Sequence, residues 1–193
     1  MNTVFIHIPK TGGTSIRKQL PLDVKVVGHN IRSDAFRLYS KKQDDFVFAF
    51  FRDPVERFIS AFSYLQNGGR NQYDNMDAYV SGAKTLSIEA FAEKLLLPAS
   101  LWQIHLLPQI FWIQHAQPDF IGRYEQLEED YKKVCWLKGI EGGRLPQHNA
   151  SKQSAGIDID YIRTFVYRAY QKDYEFIEKH LGNAKDKKMV ESY

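Results

Sequence analysis

A short loop of small and basic residues follows the first apolar segment of the chain. Val4–Ile8, apolar apart from His7, runs into Pro9-Lys10-Thr11-Gly12-Gly13-Thr14-Ser15. This order predicts a buried strand, a glycine loop and the start of a helix, and two adjacent glycines let backbone N–H groups approach a ligand closely. The N–H groups at a helix start attract phosphate or sulfate. An anion site is therefore predicted at Lys10, Thr11, Gly12, Gly13, Thr14 and Ser15.

The loop differs from the P-loop of nucleoside triphosphatases. In that loop the lysine follows the glycines, as in G-x-x-x-x-G-K-[ST]. Here Lys10 precedes the glycines, and the chain contains no match to that pattern. A nucleotide kinase with a variant P-loop is the alternative enzyme class. The missing Lys-Ser/Thr pair, which would bind phosphates and Mg²⁺, disfavours it.

A second anion site is predicted where another apolar strand ends. The strand Asp45–Phe51 is followed by Arg52-Asp53-Pro54-Val55-Glu56. Asp53 suits a helix N-cap, and Glu56 completes a capping box. Arg52, at the carboxyl end of the strand, can bind a phosphate through two parallel hydrogen bonds. Ser60 lies on the helix that follows. Two such sites suit a ligand with two separate anionic groups.

Both motifs resemble those of sulfotransferases that use PAPS (3′-phosphoadenosine 5′-phosphosulfate). H-I-P-K-T-G-G-T-S resembles their 5′-phosphosulfate-binding loop, and F-R-D-P-V-E-R-F-I-S-A-F resembles their 3′-phosphate-binding motif. The closest resemblance is to carbohydrate sulfotransferases of the heparan sulfate 2-O and 6-O type. It implies PAPS as co-substrate, PAP as product and no metal. It places Lys10 on the leaving group and Arg52 and Ser60 on the 3′-phosphate, and it implies a hydroxyl-bearing acceptor, expected to be a glycan.

His29 is the candidate general base. It follows Val24–Gly28 and is expected at the end of the second strand, where a neutral imidazole could accept the proton of an acceptor hydroxyl. A Gly-His pair there resembles the catalytic histidine position of the 2-O-sulfotransferase group. The alternative is an imidazole that caps the turn before Ser33. His105 and Glu125 are further candidates for substrate contact, with packing and a surface ion pair as their respective alternatives.

The remaining polar residues are interpreted more simply. His7 alternates with Phe5 in the first strand and is expected to be a core histidine that supports the site at most. The segment His148–Lys152 resembles a loop near the nucleotide in related enzymes. Arg57 is expected to pair with Asp53 or Glu56.

The order of elements predicts an α/β fold, a P-loop-like three-layer α/β/α arrangement with a central parallel sheet. One sulfotransferase domain over residues 1–182 is expected, followed by a polar tail at 183–193. The Asn- and Gly-rich segment Gln66–Lys84 is predicted to be a long surface loop, a candidate lid. Leu101–His115 is too apolar for an ordinary loop. Predicted strands are Thr3–Ile8, Val24–Gly28, Asp45–Phe51 and Asp119–Arg123; predicted helices are Thr14–Gln19, Ser33–Tyr39, Pro54–Gln66, Ile88–Leu96, Leu127–Trp136 and Ile159–Leu181.

Composition narrows the function classes. A net charge of +3 over 193 residues suits an anion binder but is too small for a typical nucleic-acid-binding protein. The single cysteine, Cys135, excludes an intrachain disulfide and is expected to be a buried structural thiol. The absence of an apolar run of about 18 residues and of a leader predicts no membrane span and a cytoplasmic location. The histidines show no zinc-like spacing. A module that binds PAP without transferring anything is the non-enzymatic alternative.

Overall fold

A computed structural model describes residues 2–31, 33–97, 103–141, 145 and 156–182. Its centre is a parallel sheet of four strands in the order β2-β1-β3-β4. The strands are β1 (Thr3–Ile6), β2 (Lys25–Val27), β3 (Phe46–Phe51) and β4 (Phe120–Arg123). Helices flank the sheet, which confirms the predicted α/β class with a central parallel sheet.

The strands are shorter than predicted by one or two residues each, and the difference falls at their ends. His7 lies one residue beyond β1 and Gly28 one residue beyond β2. The register pairs Ile6 with Val27 on one side and with Ala49 on the other. Because all strands are parallel, the segments that follow β1, β2 and β3 leave the sheet at the same edge.

The α-helices alternate with the strands only in the first half of the chain. They are α1 (Gly13–Arg17), α2 (Asp34–Arg37), α3 (Pro54–Gln66), α4 (Gln72–Ser81), α5 (Ile88–Glu93), α6 (Ile110–Ala116), α7 (Leu127–Lys138), α8 (Ile159–Ala169) and α9 (Gln171–Phe176). Short 3₁₀ turns lie at Lys94–Leu96 and Tyr124–Gln126, and a π-helical turn at Ile177–Leu181 is the last of the described elements. None of the described helices has the length and apolar character needed to cross a membrane.

The chain divides into two compact units, Met1–Arg52 with Phe111–Gln153, and Asp53–Ile110 with Ser154–Tyr193. In the first unit, one face of the sheet packs on α1 and α7 through Phe5, Phe48, Ile16 and Val134. Cys135 lies in the same cluster with 6% of its surface exposed, and burial raises the pKa of its thiol. The expected burial of the Cys135 thiol is confirmed. A single domain over residues 1–182 stays a prediction.

The second unit is helical. Its core joins α3, α5 and α8 through Phe58, Phe62, Phe91, Ile162 and Val166. The Asp53 side chain accepts a hydrogen bond from the Glu56 N–H at 2.9 Å, as the predicted N-cap requires. The apolar stretch Leu101–His115 contributes α6, in agreement with the expectation that it is not an ordinary loop. Leu101 and Trp102 lie outside the described residues.

Two predicted elements are wrong. Gln66–Lys84 is not a long loop, because it contains the ten-residue helix α4. The Asn71 side chain caps α4 by accepting from the N–H groups of Tyr73 and Asp74, so a residue typical of loops here starts a helix. The helix predicted at Ile159–Leu181 breaks at Tyr170, whose φ and ψ of −117° and 32° are not helical.

Candidate anion-binding and catalytic site

The loop between β1 and α1 is held in a fixed shape by its own side chains and backbone. Thr11 is fully buried, and its hydroxyl donates to the Ile8 carbonyl at 2.9 Å. Lys10 and Gly12 both have positive φ, 71° and 82°, which is unusual for a lysine. Gly12 is the N-cap of α1, and its carbonyl accepts from the N–H groups of Ser15 and Ile16. The conformation therefore depends on this particular order of residues.

His7 fills the space directly beneath the loop. A Cβ atom at Gly13 would lie 2.0 Å from His7 Cδ2 and 2.2 Å from His7 Nε2, so only glycine fits at this position. The His7 ring is 4% exposed and stacks on the Phe5 ring, with centroids 5.7 Å apart. The expectation of a core histidine is confirmed. The position of the His7 ring also explains why the loop has a glycine at position 13: Gly13 allows close packing on this ring rather than an unusual backbone angle.

Arg52 directly follows β3 and contacts the same loop. Its Nη1 donates to the Lys10 carbonyl at 3.3 Å, and its guanidinium carbon lies 4.2 Å from the centroid of the Tyr124 ring. Arg52 is only 7% exposed. The Tyr124 ring also borders Gly12, since a Cβ there would lie 3.2 Å from Tyr124 Cδ2. A guanidinium over an aromatic ring makes a favourable cation–π contact, so Tyr124 helps to hold the Arg52 side chain in place.

Tyr124 is a site residue that the sequence analysis missed. It lies in the 3₁₀ turn after β4, next to Glu125, which was singled out instead. Glu125 is exposed. An aromatic residue just after a predicted strand end was the available signal, but nothing in its spacing links it to Arg52.

His29 lies beyond β2 with its side chain exposed to solvent. Its ring contacts the buried His7 ring, with centroids 4.7 Å apart and planes at 48°. Since His7 also contacts Gly13, one buried ring lies against both the candidate base and the glycine loop. The hydroxyl of Ser33 donates to the Asn30 carbonyl at 2.6 Å and so closes the turn after His29.

Ser60 and Arg57 belong to the second unit. Ser60 lies on α3 and is 8% exposed. Arg57 is 2% exposed, and its Nη1 donates to the Leu107 carbonyl at 2.9 Å. Arg57 therefore fastens the segment before α6, a partner that the sequence analysis did not foresee.

The stretch His105–Gln109 is anchored from several sides. Asp173 is fully buried, and its two carboxylate oxygens accept from the N–H groups of Gln109 and Ile110, each at 2.9 Å. Burial raises the pKa of the Asp173 carboxyl, while these donors and Arg57 act in the opposite direction. His105 is 3% exposed and packs against the Tyr64 ring, with centroids 4.9 Å apart. This burial favours the packing role for His105.

The loop His148–Lys152 and the tail 183–193 lie outside the described residues. Within the part of the chain that the structure describes, no three His, Cys, Asp or Glu side chains are grouped to hold a metal ion.

The fold and the first-unit site together define a class. They describe an α/β protein in which a glycine loop after β1, an arginine after β3 and a histidine after β2 lie at the edge where such sheets bind ligands. A family model described as the sulfotransferase family matches residues 2–178. The chain belongs to this family, and transfer of a sulfo group is its general reaction. Comparison with curated proteins gave no match, and comparison with solved structures gave none either.

Proposed function

We propose that this protein transfers the sulfo group of PAPS to a hydroxyl of an acceptor, and that the acceptor is a carbohydrate. One observation supports the donor assignment above the others. The Arg52 side chain donates to the Lys10 carbonyl at 3.3 Å, so the residue proposed for the 3′-phosphate adjoins the loop proposed for the 5′-phosphosulfate. A ligand with anionic groups at both ends suits this arrangement better than a simple monophosphate does.

The loop provides the groups that the donor would need. We assign the 5′-phosphosulfate to Lys10 and the backbone of Thr11, Gly12, Gly13, Thr14 and Ser15. Sulfuryl transfer resembles phosphoryl transfer in having a loose transition state, in which negative charge grows on the leaving oxygens. The Lys10 ammonium is proposed to stabilise that charge. Its positive φ fixes where the side chain leaves the backbone.

His29 is proposed to accept the proton of the acceptor hydroxyl. The acceptor oxygen forms a new bond to sulfur while the bond from sulfur to the bridging phosphate oxygen breaks. The hydroxyl proton goes to the imidazole, and PAP leaves with the bridging oxygen. An exposed ring at the end of β2 is accessible to an acceptor from solvent.

Arg52 is proposed to bind the 3′-phosphate, since its guanidinium is held over the Tyr124 ring and its planar fork suits a phosphate. Ser60 keeps the same assignment on the strength of the F-R-D-P-V-E-R-F-I-S-A-F motif. The carbohydrate acceptor is likewise proposed from the motif resemblance. The cytoplasmic location stays a prediction from the sequence.

The donor is tested by comparing PAPS without metal with ATP and Mg²⁺ in the presence of a panel of glycans, lipids and phenols. Mass spectrometry of the acceptors is the readout. We expect sulfated glycan with PAPS alone. Phosphorylated product with ATP would favour a nucleotide kinase. PAP binding with no product from any acceptor would favour a non-catalytic module.

The 3′-phosphate assignment has its own test. PAP should raise the melting temperature more than AMP does, and at a concentration one hundred times its dissociation constant it should stabilise the fold by about 2.7 kcal/mol. Equal shifts with PAP and AMP would remove Arg52 and Ser60 from the proposed site.

A further inference from the structure

Trp112 is a buried side chain that touches the segment leading to His29. It lies on α6 and has no exposed surface. Its indole Nε1–H donates to the Gly28 carbonyl at 2.8 Å. A Cβ at Gly28 would lie 3.1 Å from Trp112 Cδ1, so the ring also packs closely on the Gly28 backbone. The indole therefore contacts this backbone through both a hydrogen bond and its ring edge.

The carbonyl that Trp112 binds belongs to the peptide group that joins Gly28 to His29. A peptide group is planar, so the direction of the Gly28 C=O also sets the direction of the His29 N–H. Gly28 has a φ of 101°. Because a glycine has no Cβ, it can adopt many other backbone conformations at little cost. Without an external partner for the carbonyl, this peptide could rotate and carry the His29 side chain with it.

The position of His29 matters because of its neighbour. Its ring lies 4.7 Å from the His7 ring, and His7 packs beneath Gly13 of the glycine loop. A rotation of the 28–29 peptide would change the distance from the imidazole to that loop. Misplacement of a catalytic group by about 1 Å can lower a rate by about a hundredfold.

We infer that Trp112 is a positioning residue for His29, acting through its hydrogen bond to the Gly28 carbonyl. The inference rests on the proposed role of His29 as general base. The inference gives a residue of α6 a role in the reaction, although α6 belongs to neither of the two anion-binding motifs.

The test is Trp112→Phe, which keeps an aromatic ring and removes the N–H donor. With the acceptor found in the glycan panel, we expect kcat to fall between about tenfold and a hundredfold. PAP affinity and the KM for PAPS should stay as in the wild type, because the loop and Arg52 are unchanged. The matched control is Trp136→Phe, since Trp136 is 83% exposed on α7, and this variant should keep the wild-type kcat.

A double-mutant cycle separates positioning from general destabilisation. In a His29→Ala background, Trp112→Phe should cause no further fall in kcat, because there is no imidazole left to position. A further fall of the same size in that background would overturn the inference, and so would a normal kcat for Trp112→Phe alone.

Two further measurements keep the inference testable where Trp112→Phe lowers stability, and the second of them does not require turnover. Replacing Trp112 by β-(3-benzothienyl)alanine keeps the shape of the indole and removes only the donor, and it should give the same fall in kcat. Nuclear Overhauser contacts between the ring protons of His7 and His29 should weaken in both variants at position 112 and persist in Trp136→Phe. Unchanged contacts would overturn the inference even with an active enzyme. An inactive wild type with intact contacts would instead contradict the proposed function.

Discussion

Replacement of Gly13 by alanine tests the packing on which the glycine loop depends. The new Cβ would lie 2.0 Å from His7 Cδ2, whereas ordinary contacts begin near 3.4 Å, so the His7 ring would have to move by more than 1 Å. The ring has little room to move, because it is buried and stacked on Phe5. Overpacking of this kind costs about 1–3 kcal/mol. Alanine at the first residue of α1 returns up to about 1 kcal/mol through its higher helix propensity.

We therefore expect Gly13→Ala to lower the free energy of unfolding by about 1–2 kcal/mol. Urea denaturation monitored by circular dichroism measures this change. PAP affinity should fall as well, because the loop must distort to accept the methyl group. In a His7→Ala background the space beneath the loop is open, and Gly13→Ala should then cost nothing or stabilise slightly.

Gly139→Ala is the matched control for this cycle. Gly139 has a φ of 62° and no atom within 4 Å of its added Cβ, so its substitution introduces backbone strain without a clash. Its cost, about 1–2 kcal/mol, should be the same with and without His7. If Gly13→Ala cost as much in the His7→Ala background as in the wild type, the proposed close packing of His7 and Gly13 would be refuted.

Three further substitutions probe single interactions. Arg52→Lys keeps the charge but loses the planar fork, so we expect PAP affinity measured by calorimetry to fall by about tenfold to a hundredfold. The control Arg37→Lys, at an exposed position, should bind PAP normally. Normal PAP binding by Arg52→Lys would favour a purely structural role for Arg52. Lys10→Ala should slow sulfo transfer at saturating PAPS by about a hundredfold or more. The control Lys172→Ala, at an exposed position, should transfer at the wild-type rate. An unchanged rate for Lys10→Ala would mean that another cation stabilises the leaving group. Asp173→Asn leaves one acceptor oxygen for the N–H groups of Gln109 and Ile110, so the free energy of unfolding measured in urea should fall by about 1–3 kcal/mol. The control is Asp23→Asn, at an exposed position. Equal free energies of unfolding for the two variants would show that these hydrogen bonds do not stabilise the fold.

Elements whose ends or composition are set by neighbouring residues in the sequence were predicted correctly. Helix α3 begins and ends where the sequence indicated, Pro54–Gln66, because Asp53 and Pro54 mark its start chemically. The four strands were found because continuous apolar segments are typical of a buried parallel sheet. Their carboxyl ends brought the glycine loop, His29 and Arg52 to one edge, as strand order in an α/β fold requires.

Features that depend on tertiary contacts were not predictable in this way. The Asn71 cap of α4 is an exception, because its bonds to the N–H groups of Tyr73 and Asp74 are local, and the loop was predicted there because the segment Gln66–Lys84 is rich in Asn and Gly. Asp173 follows the break at Tyr170 and accepts from the Gln109 N–H in the segment before α6, a contact between residues 64 positions apart in sequence. Tyr124 follows β4 and Arg52 follows β3. Because these two strands are distant in sequence, no spacing rule links the tyrosine to the arginine that it contacts.

The role of His29 in sulfo transfer is the central claim, and single-turnover kinetics of His29→Ala test it most directly. With PAPS saturating and the panel-identified acceptor in excess, rapid quenching measures the chemical step alone. We predict a rate lower by about two to four orders of magnitude, with PAP affinity measured by calorimetry left as in the wild type, because His29 belongs to neither anion-binding motif. A near-normal rate for His29→Ala would contradict the account and place the base elsewhere.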